Sequence, residues 1–206
     1  MSTEYEINTL DELDRLYGDV NPNSLAKETA SLTPEYRRWI EASPFFAVAT
    51  SGPGGLDCSP RGDPVGQLFR VLSDREIVIP DRRGNNRRDT LKNIISDPHI
   101  ALLFLMPGIN ETLRINGQAS ITTDPDLRES FAVKEKLPVT VIRVKIDSVY
   151  FQCARALIRS QLWNSEHHAT RDTIPTTGQM TKSAISDFDA DSYDAALLDR
   201  QKSSLY

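Results

Sequence analysis

The sequence predicts a mainly β protein with peripheral helices (α+β), built on a six- to seven-stranded antiparallel split β-barrel. Three observations support this class. Short strand-like runs alternate with turn residues, two pairs of runs are spaced as hairpins, and residues 112–121 alternate almost perfectly between apolar and polar. A sheet of this size must protect its edges, so a closed or partly split barrel is expected.

Two helices are predicted before the first strand. Thr9 and Glu12 have the spacing of a capping box that opens a short helix. Its apolar side would carry Leu10, Leu13 and Leu16. Thr33 followed by Pro34 predicts the start of a second helix, because proline is favoured at the first helical position. Its buried residues would be Tyr36, Trp39 and Ile40.

Two hairpins and a buried strand are expected next. The hairpins would join residues 45–50 to 56–61 and residues 68–72 to 76–79. Leu91, Ile94 and Ile95 recur at helical spacing before Asp97 and Pro98 end the pattern. The unbroken apolar run at 99–106 predicts a strand buried on both faces.

Alternation predicts the rest of the barrel. One face of residues 112–121 would be buried and the other wet. The buried face would carry Leu113, Ile115, Gly117, Ala119 and Ile121. Asp124 and Pro125 predict a short helix, residues 139–151 a final long strand, and residues 153–163 a short helix after it.

The chain is therefore divided into three parts. Residues 1–34 form an N-terminal helical extension, residues 35–165 the split-barrel domain, and residues 166–206 a polar segment with a C-terminal helix. Residues 164–187 are rich in Ser, Thr and Gly and are expected to be extended or mobile. The final amphipathic helix would dock on the barrel or a partner subunit through Tyr193, Leu197 and Leu198.

Charge and composition exclude several classes of protein. A net charge of -5 over 206 residues argues against a general binder of nucleic acids or anionic membranes. No apolar run approaches the roughly 18 residues of a membrane span, and Met1 to Glu4 lack the features of a secretory leader. Cys58 and Cys153 are too few for a disulfide framework. We therefore expect a cytoplasmic protein. We also expect no metal site, because His167 and His168 are adjacent and lack other ligands nearby.

The most informative segment is the turn from Pro80 to Arg88, which holds four arginines and two asparagines between a strand and a helix. Cations at a helix N-terminus oppose the helix dipole, so this arrangement is favourable when an anion neutralises both. The segment predicts a phosphate site. A solvated basic loop, or one paired with carboxylates of the chain, is the alternative.

Five motifs in consistent order resemble the pyridoxamine 5'-phosphate oxidase-like flavoproteins, split-barrel proteins that bind FMN. The motifs are Ser59-Pro60-Arg61-Gly62-Asp63, Pro80-Asp81-Arg82 with Gly84-Asn85-Asn86-Arg87, Asp97-Pro98, Glu111 to Gly117, and Cys153 to Leu157 with Arg159 and Trp163. Each alone is unspecific, and together they indicate the fold. The resemblance is to an actinobacterial-type subgroup rather than to the oxidase proper.

The resemblance implies a homodimer with FMN at the subunit interface. The loop and helix after the second hairpin would hold the phosphate, where Asn86 and Arg87 match best and Asn85 and Arg88 are supporting candidates. Arginine suits this role because its planar fork can donate two charge-assisted hydrogen bonds to phosphate oxygens.

Two strands are implied to lie along the cofactor. Ser59, Arg61 and Asp63 match the strand beside the flavin ring, while Pro80 and Asp81 match the strand end between ring and phosphate. From the residues alone, the alternatives are that Asp63 caps a turn and that Arg61 only protects an edge strand.

A late cluster, Arg155, Arg159 and Trp163, would come from the other subunit. The alternatives are a solvated helical face, pairing of the arginines with tail carboxylates, and a tryptophan in the dimer core.

The resemblance implies an FMN-dependent oxidoreductase in which hydride passes through flavin N5 to or from a small molecule. The sequence identifies no catalytic side chain for this reaction. Oxidation of pyridoxamine phosphate is not expected, because residues 163–206 lack the arginine-histidine motif of those oxidases. The alternatives are a non-enzymatic flavin-binding or stress-response module, or a split barrel that uses haem or a deazaflavin. Haem would need His99 or the His167-His168 pair as ligands. Nucleic-acid binding is disfavoured because the arginine turn has no interleaved aromatic residues that could stack on bases.

Overall fold

A computed structural model describes residues 5–205, so the residues on which the leader expectation rests, Met1 to Glu4, lie outside the described part. One antiparallel sheet of seven strands has the order β2-β1-β5-β6-β7-β4-β3. The strands are β1 (Phe45–Gly52), β2 (Gly55–Gly62), β3 (Arg70–Ser73), β4 (Glu76–Pro80), β5 (His99–Leu105), β6 (Thr112–Thr122) and β7 (Val141–Gln152). The predicted α+β class with a split antiparallel barrel is confirmed.

Helices flank this sheet and form both ends of the described chain. They are α1 (Leu10–Leu16), α2 (Pro22–Ala26), α3 (Pro34–Glu41), α4 (Asp89–Ser96), α5 (Pro125–Ser130), α6 (Arg155–Ser160), α7 (Thr177–Ala184), α8 (Ala190–Ala195) and α9 (Leu197–Ser203). Two 3-10 turns lie at Ser165–His167 and Arg171–Thr173. The predicted capping box at Thr9 is present in α1, and α3 begins after Thr33 as expected.

The main core lies on one face of the sheet, and a smaller buried cluster of Val78, Phe131 and Val141 lies on the other face at β4 and β7. Val48, Leu102 and Ile115 are register partners on β1, β5 and β6, and each is almost completely buried. The ring of Phe104 lies 5.0 Å from the ring of Phe46 and 5.4 Å from that of Phe69, measured between centroids. These contacts follow from the alternation of side chains along each strand.

Helix α4 is fastened to the first hairpin at two points. The amide of Asn93 donates to the hydroxyl of Thr50 on β1 at 3.2 Å, and the hydroxyl of Thr90 donates to the carboxylate of Asp57 on β2 at 3.0 Å. These bonds hold the start of α4, and the arginine turn before it, beside β2.

The burial of strand β5 differs from the prediction. A strand at His99–Leu105 is confirmed, but burial on both faces is wrong for the single chain. Ile100, Leu102 and Phe104 are buried, whereas Ala101 and Leu103 on the opposite face are only half-buried. The apolar run therefore supplies one face to the core and leaves an apolar face outside it.

The C-terminal part corrects a second prediction. The composition of residues 164–187 predicts an extended or mobile segment, yet Thr177–Ala184 form α7. A capping box between Thr176 and Gln179 opens this helix, and the backbone amide of Gly178 donates to the Asp194 carboxylate of α8 at 2.8 Å. The single final helix that was expected is divided into α8 and α9 at Ala196.

Smaller differences concern burial and short helices. Leu10, Leu13 and Leu16 are exposed in α1, and α2 was not predicted. Ile95 is exposed on α4. The helix after β7 covers only Arg155–Ser160, because Gln161 takes a left-handed conformation that ends it.

Candidate functional site

A cavity of about 860 Å³ lies between β2, the arginine turn, the start of α4 and the loop before β7. This volume suits a cofactor-sized ligand, for which pockets are typically roughly 300–1,000 Å³. Seven of the predicted site residues line it together. They are Ser59, Arg61, Asp81, Asn85, Asn86, Arg87 and Arg88.

The arginine turn has an uncommon backbone. Asn86 and Arg88 both adopt left-handed conformations, with φ of 60° and 59°. Asparagine tolerates this region, but arginine pays a steric cost there. The side chain of Asn85 accepts a hydrogen bond from the backbone amide of Arg87 at 3.1 Å, which fixes the middle of the turn.

The first turn of α4 has no side-chain cap. Arg88 is the N-cap residue and makes no capping hydrogen bond, whereas the N-cap side chains of α1, α3 and α5 accept one. Backbone amides at the start of a helix need an external acceptor and carry the positive end of the helix dipole. This end of the cavity can therefore bind an anion.

Part of the positive charge is already paired. The Nε of Arg87 lies 2.7 Å from an Asp89 carboxylate oxygen, and Nη2 of Arg61 lies 3.9 Å from Asp81. Arg83 and Arg88 form no ion pair with any residue in the range 5–205. Of the four arginines in the turn, Arg82 and Arg87 are therefore paired with carboxylates, as that alternative predicts, and Arg83 and Arg88 are left for a ligand.

Two carboxyl groups in the cavity have shifted pKa values in opposite directions. Burial raises the pKa of the Asp81 carboxyl, and the nearby Arg61 guanidinium offsets part of that increase. The hydrogen bond from Arg87 lowers the pKa of Asp89 below its ordinary value. The charged form of Asp89 is therefore stabilised by its bond to Arg87, whereas burial makes the charged form of Asp81 less favourable than in an exposed aspartate.

Asp63 and Pro80 do not line the cavity. The Asp63 carboxylate lies 2.8 Å from Nε of Arg82 and its side chain is 3% exposed, while Pro80 is buried at the end of β4. Arg82 also donates to the backbone carbonyl of Phe131 at 2.7 Å. Asp63 and Arg82 thus fix the wall behind the cavity.

The late cluster lies elsewhere in the same chain. Arg155 and Arg159 are exposed on α6, and Nε1 of Trp163 donates to the carbonyl of Ile109 at 2.8 Å. None of the three lines the cavity of its own chain. Their predicted contribution from a second subunit stays a prediction.

Sequence reasoning missed two parts of the cavity. Asp57 shares the inward face of β2 with Ser59 and Arg61, so the period of two residues was a signal that could have found it. Residues 136–139 form the opposite wall, with Leu137 and Val139 exposed. They follow a tight turn in which Lys134 and Glu135 have positive φ, and no short-range pattern places this turn beside the arginines.

Three further features of residues 5–205 concern metal binding, His99 and membrane spanning. No group of three or more His, Cys, Asp or Glu side chains is placed to hold a metal ion. His99 is exposed and hydrogen-bonded to Asp97 at 2.6 Å. The helices of this range are all too short or too polar to cross a membrane.

Comparisons with known proteins identify similar sequences and folds. Residues 32–153, more than half of the chain, match the family model described as pyridoxamine 5'-phosphate oxidase. HupZ from Group A Streptococcus is 18% identical with a TM-score of 0.47, and the alignment covers 57% of this chain and 91% of HupZ. No curated protein matches the chain.

Two other solved structures are similar at the same low level. The general stress protein 26 from Bacillus anthracis is 16% identical with a TM-score of 0.44, over 56% of this chain and 88% of that protein. The FAD binding protein from Mycobacterium smegmatis is 15% identical with a TM-score of 0.41, over 60% of this chain and 97% of that protein.

Proposed function

Because the chain belongs to the pyridoxamine 5'-phosphate oxidase family, we propose that its arginine-lined cavity binds FMN and that the protein is an FMN-dependent oxidoreductase acting on a small molecule. The observation that carries this proposal is the meeting of an uncapped helix N-terminus with two unpaired arginines at one end of the cavity. That combination suits a phosphate group.

The residues of the cavity fit the parts of FMN. Arg83, Arg88 and the first backbone amides of α4 would hold the phosphate, and Arg87 would join them by exchanging Asp89 for a phosphate oxygen. At the other wall, Leu137 and Val139 offer exposed apolar surface suited to a planar ring. Arg61 and Asp81 would provide polar contacts at the ring edge.

A bound flavin supplies a ring nitrogen, N5, that accepts or donates hydride. The chain itself would orient the ring, exclude water and set the local charge. Arg61 provides a fixed positive charge on β2, and Asp81 is a carboxyl whose pKa is raised by burial, so it can hold a proton more readily than an exposed aspartate. These roles need no nucleophilic side chain.

We also propose a homodimer. The outward face of β1 and β5 carries half-buried apolar side chains that are register partners, Ala47 with Leu103 and Ala49 with Ala101. An apolar sheet face of this kind favours association with a second copy. In such a dimer, Arg155, Arg159 and Trp163 of one copy would approach the cofactor of the other.

The two unpaired cysteines, Cys58 and Cys153, support a reducing, cytoplasmic location.

The alternative from a different class is a flavin-binding or stress-response module without turnover, since the same cavity would serve it. Haem is less favoured because His99 is exposed and already hydrogen-bonded to Asp97.

The proposal is tested by titrating the purified protein with FMN and with riboflavin, which lacks the phosphate. FMN should bind at least about tenfold more tightly, because charge-assisted bonds to phosphate are lost with riboflavin. Arg88→Ala should reduce the preference for FMN, whereas Arg38→Ala on the exposed face of α3 should not. Equal affinity for the two flavins would contradict the phosphate assignment. Reduction of the bound flavin by a nicotinamide donor, followed by reoxidation, would separate the oxidoreductase from the binding module.

A further inference from the structure

Asp57 is a carboxylate in the cavity that the family assignment does not explain. It lies on β2 with Ser59 and Arg61, on the face that lines the main cavity. It also lines a neighbouring, smaller cavity of about 520 Å³, so it stands where the two cavities meet. The residue is half-buried, and its register partner on β1 is the buried Thr50.

Its hydrogen bonds leave one oxygen available. Oδ2 of Asp57 accepts from the hydroxyl of Ser59 at 3.1 Å and from that of Thr90 at 3.0 Å. Oδ1 has no partner within the described part of the chain, and no cation there pairs with this carboxylate. The other two aspartates of the cavity, Asp81 and Asp89, are each paired with an arginine.

This environment selects the kind of ligand group that Asp57 can face. A phosphate beside it would be repelled, while an apolar ring would leave a half-buried charge without a partner. A neutral hydroxyl donates a strong hydrogen bond to a carboxylate, and a hydroxyl-bearing chain is the part of FMN between phosphate and ring. Asp57 lies beside Thr90 in the first turn of α4, next to the candidate phosphate end.

We propose that Oδ1 of Asp57 accepts a hydrogen bond from a hydroxyl of the ligand, so that Asp57 makes the cavity selective for a phosphate carried on a polyhydroxylated chain. The inference rests on the proposed flavin site. Ser59 and Thr90 are positioning residues in this arrangement, because their hydroxyls fix the carboxylate through its other oxygen.

The test uses two flavins without phosphate, so that the repulsion between Asp57 and a phosphate does not enter. Riboflavin has the polyhydroxylated chain and lumiflavin has a methyl group in its place. Their affinities are measured for the wild type, for Asp57→Asn and for Thr50→Val. The last variant loosens α4 by removing its bond to Asn93 but leaves Asp57 intact. Circular dichroism establishes that each variant is folded.

The ratio of riboflavin to lumiflavin affinity should fall about tenfold in Asp57→Asn and stay unchanged in Thr50→Val, since a hydrogen bond to a charged acceptor is lost only in the first. An unchanged ratio in Asp57→Asn, or an equal fall in both variants, would overturn the role of Asp57 while leaving the flavin site standing. A wild-type protein that binds none of FMN, riboflavin and lumiflavin would overturn the flavin site and this inference together.

Discussion

Nε of Arg82 lies 2.8 Å from the Asp63 carboxylate, joining the end of β4 to the segment that follows β2. The Asp63 side chain is 3% exposed and that of Arg82 is 20% exposed. These two strands are not neighbours in the sheet, so the ion pair holds two separated parts of the barrel together behind the cavity. Through its second bond, Arg82 also fixes the loop after α5.

Asp63→Ala should lower the free energy of unfolding by about 3 kcal/mol, because a mostly buried guanidinium loses its partner. Urea denaturation monitored by circular dichroism measures the change. Glu41→Ala breaks the exposed Arg37–Glu41 pair on α3 and is the matched control, with an expected loss of about 0.5 kcal/mol or less. Equal losses in the two variants would show that Asp63 has no special structural role.

Arg87→Ala should weaken FMN binding by about tenfold and leave riboflavin binding nearly unchanged, since the phosphate would lose one charge-assisted contact. Isothermal titration of both flavins measures this difference. Asp89→Asn should act in the opposite direction for FMN, because it releases the Arg87 side chain from its 2.7 Å ion pair. Weakening of both flavins alike by Arg87→Ala would indicate a structural effect instead.

Gly117→Ala should destabilise the protein by about 3 kcal/mol or more. A Cβ atom there would collide with the backbone carbonyl of Lys145 on β7, at the bulge between Asn116 and Gly117. Gly54→Ala, in the turn between β1 and β2, is the control because a Cβ there meets no atom. Thermal unfolding compares the two variants, and a fully stable Gly117→Ala would show that the strands at this bulge can separate.

The pH dependence of stability should change in Asp81→Asn. Burial raises the pKa of Asp81 in the folded state, so its contribution favours the fold at low pH and is lost as the pH rises through the raised value. The variant should therefore gain stability relative to the wild type above that value, and the gain should shrink toward the ordinary aspartate pKa of about 3.9. Denaturation between about pH 3 and pH 8 measures it. A variant less stable than the wild type at neutral pH would mean that the Arg61 pair outweighs burial.

Leu103→Glu should convert the proposed dimer to a monomer, because it places a charge at the centre of the half-buried apolar face of β1 and β5. Sedimentation velocity gives the oligomeric state. Leu72→Glu on β3, at the far edge of the sheet, is the control and should leave it unchanged. A wild-type protein that sediments as a monomer would contradict the homodimer.

Local patterns predicted most of the fold. The alternation of Leu113, Ile115 and Ala119 placed β6 correctly, and the capping signal at Thr9 placed α1, because both depend on residues close in sequence. Helix α7 was missed although Thr176 and Gln179 form a capping box, since the surrounding Ser and Thr residues favoured an extended segment. Its stabilising contact comes from Asp194, which is remote in sequence.

From residue patterns alone, the site was predictable only where it is continuous in the chain, whereas Ser59, Arg61 and Asp81 came from the family resemblance. Arg83 and residues 85–88 lie in one turn, so their clustering was visible in the sequence. Leu137 and Val139 reach the same cavity through the path of the chain between α5 and β7, which no local pattern encodes. The pairing of Arg87 with Asp89 likewise depends on side-chain geometry rather than on residue type.

The most direct test of the flavin site is the absorbance spectrum of the purified protein, followed by denaturation and identification of any released cofactor. The site predicts bands at about 370 and 450 nm and the recovery of FMN, either as purified or after incubation with FMN and removal of the excess. A colourless protein that also fails to retain added FMN would contradict the assignment of the arginine-lined cavity to a flavin phosphate.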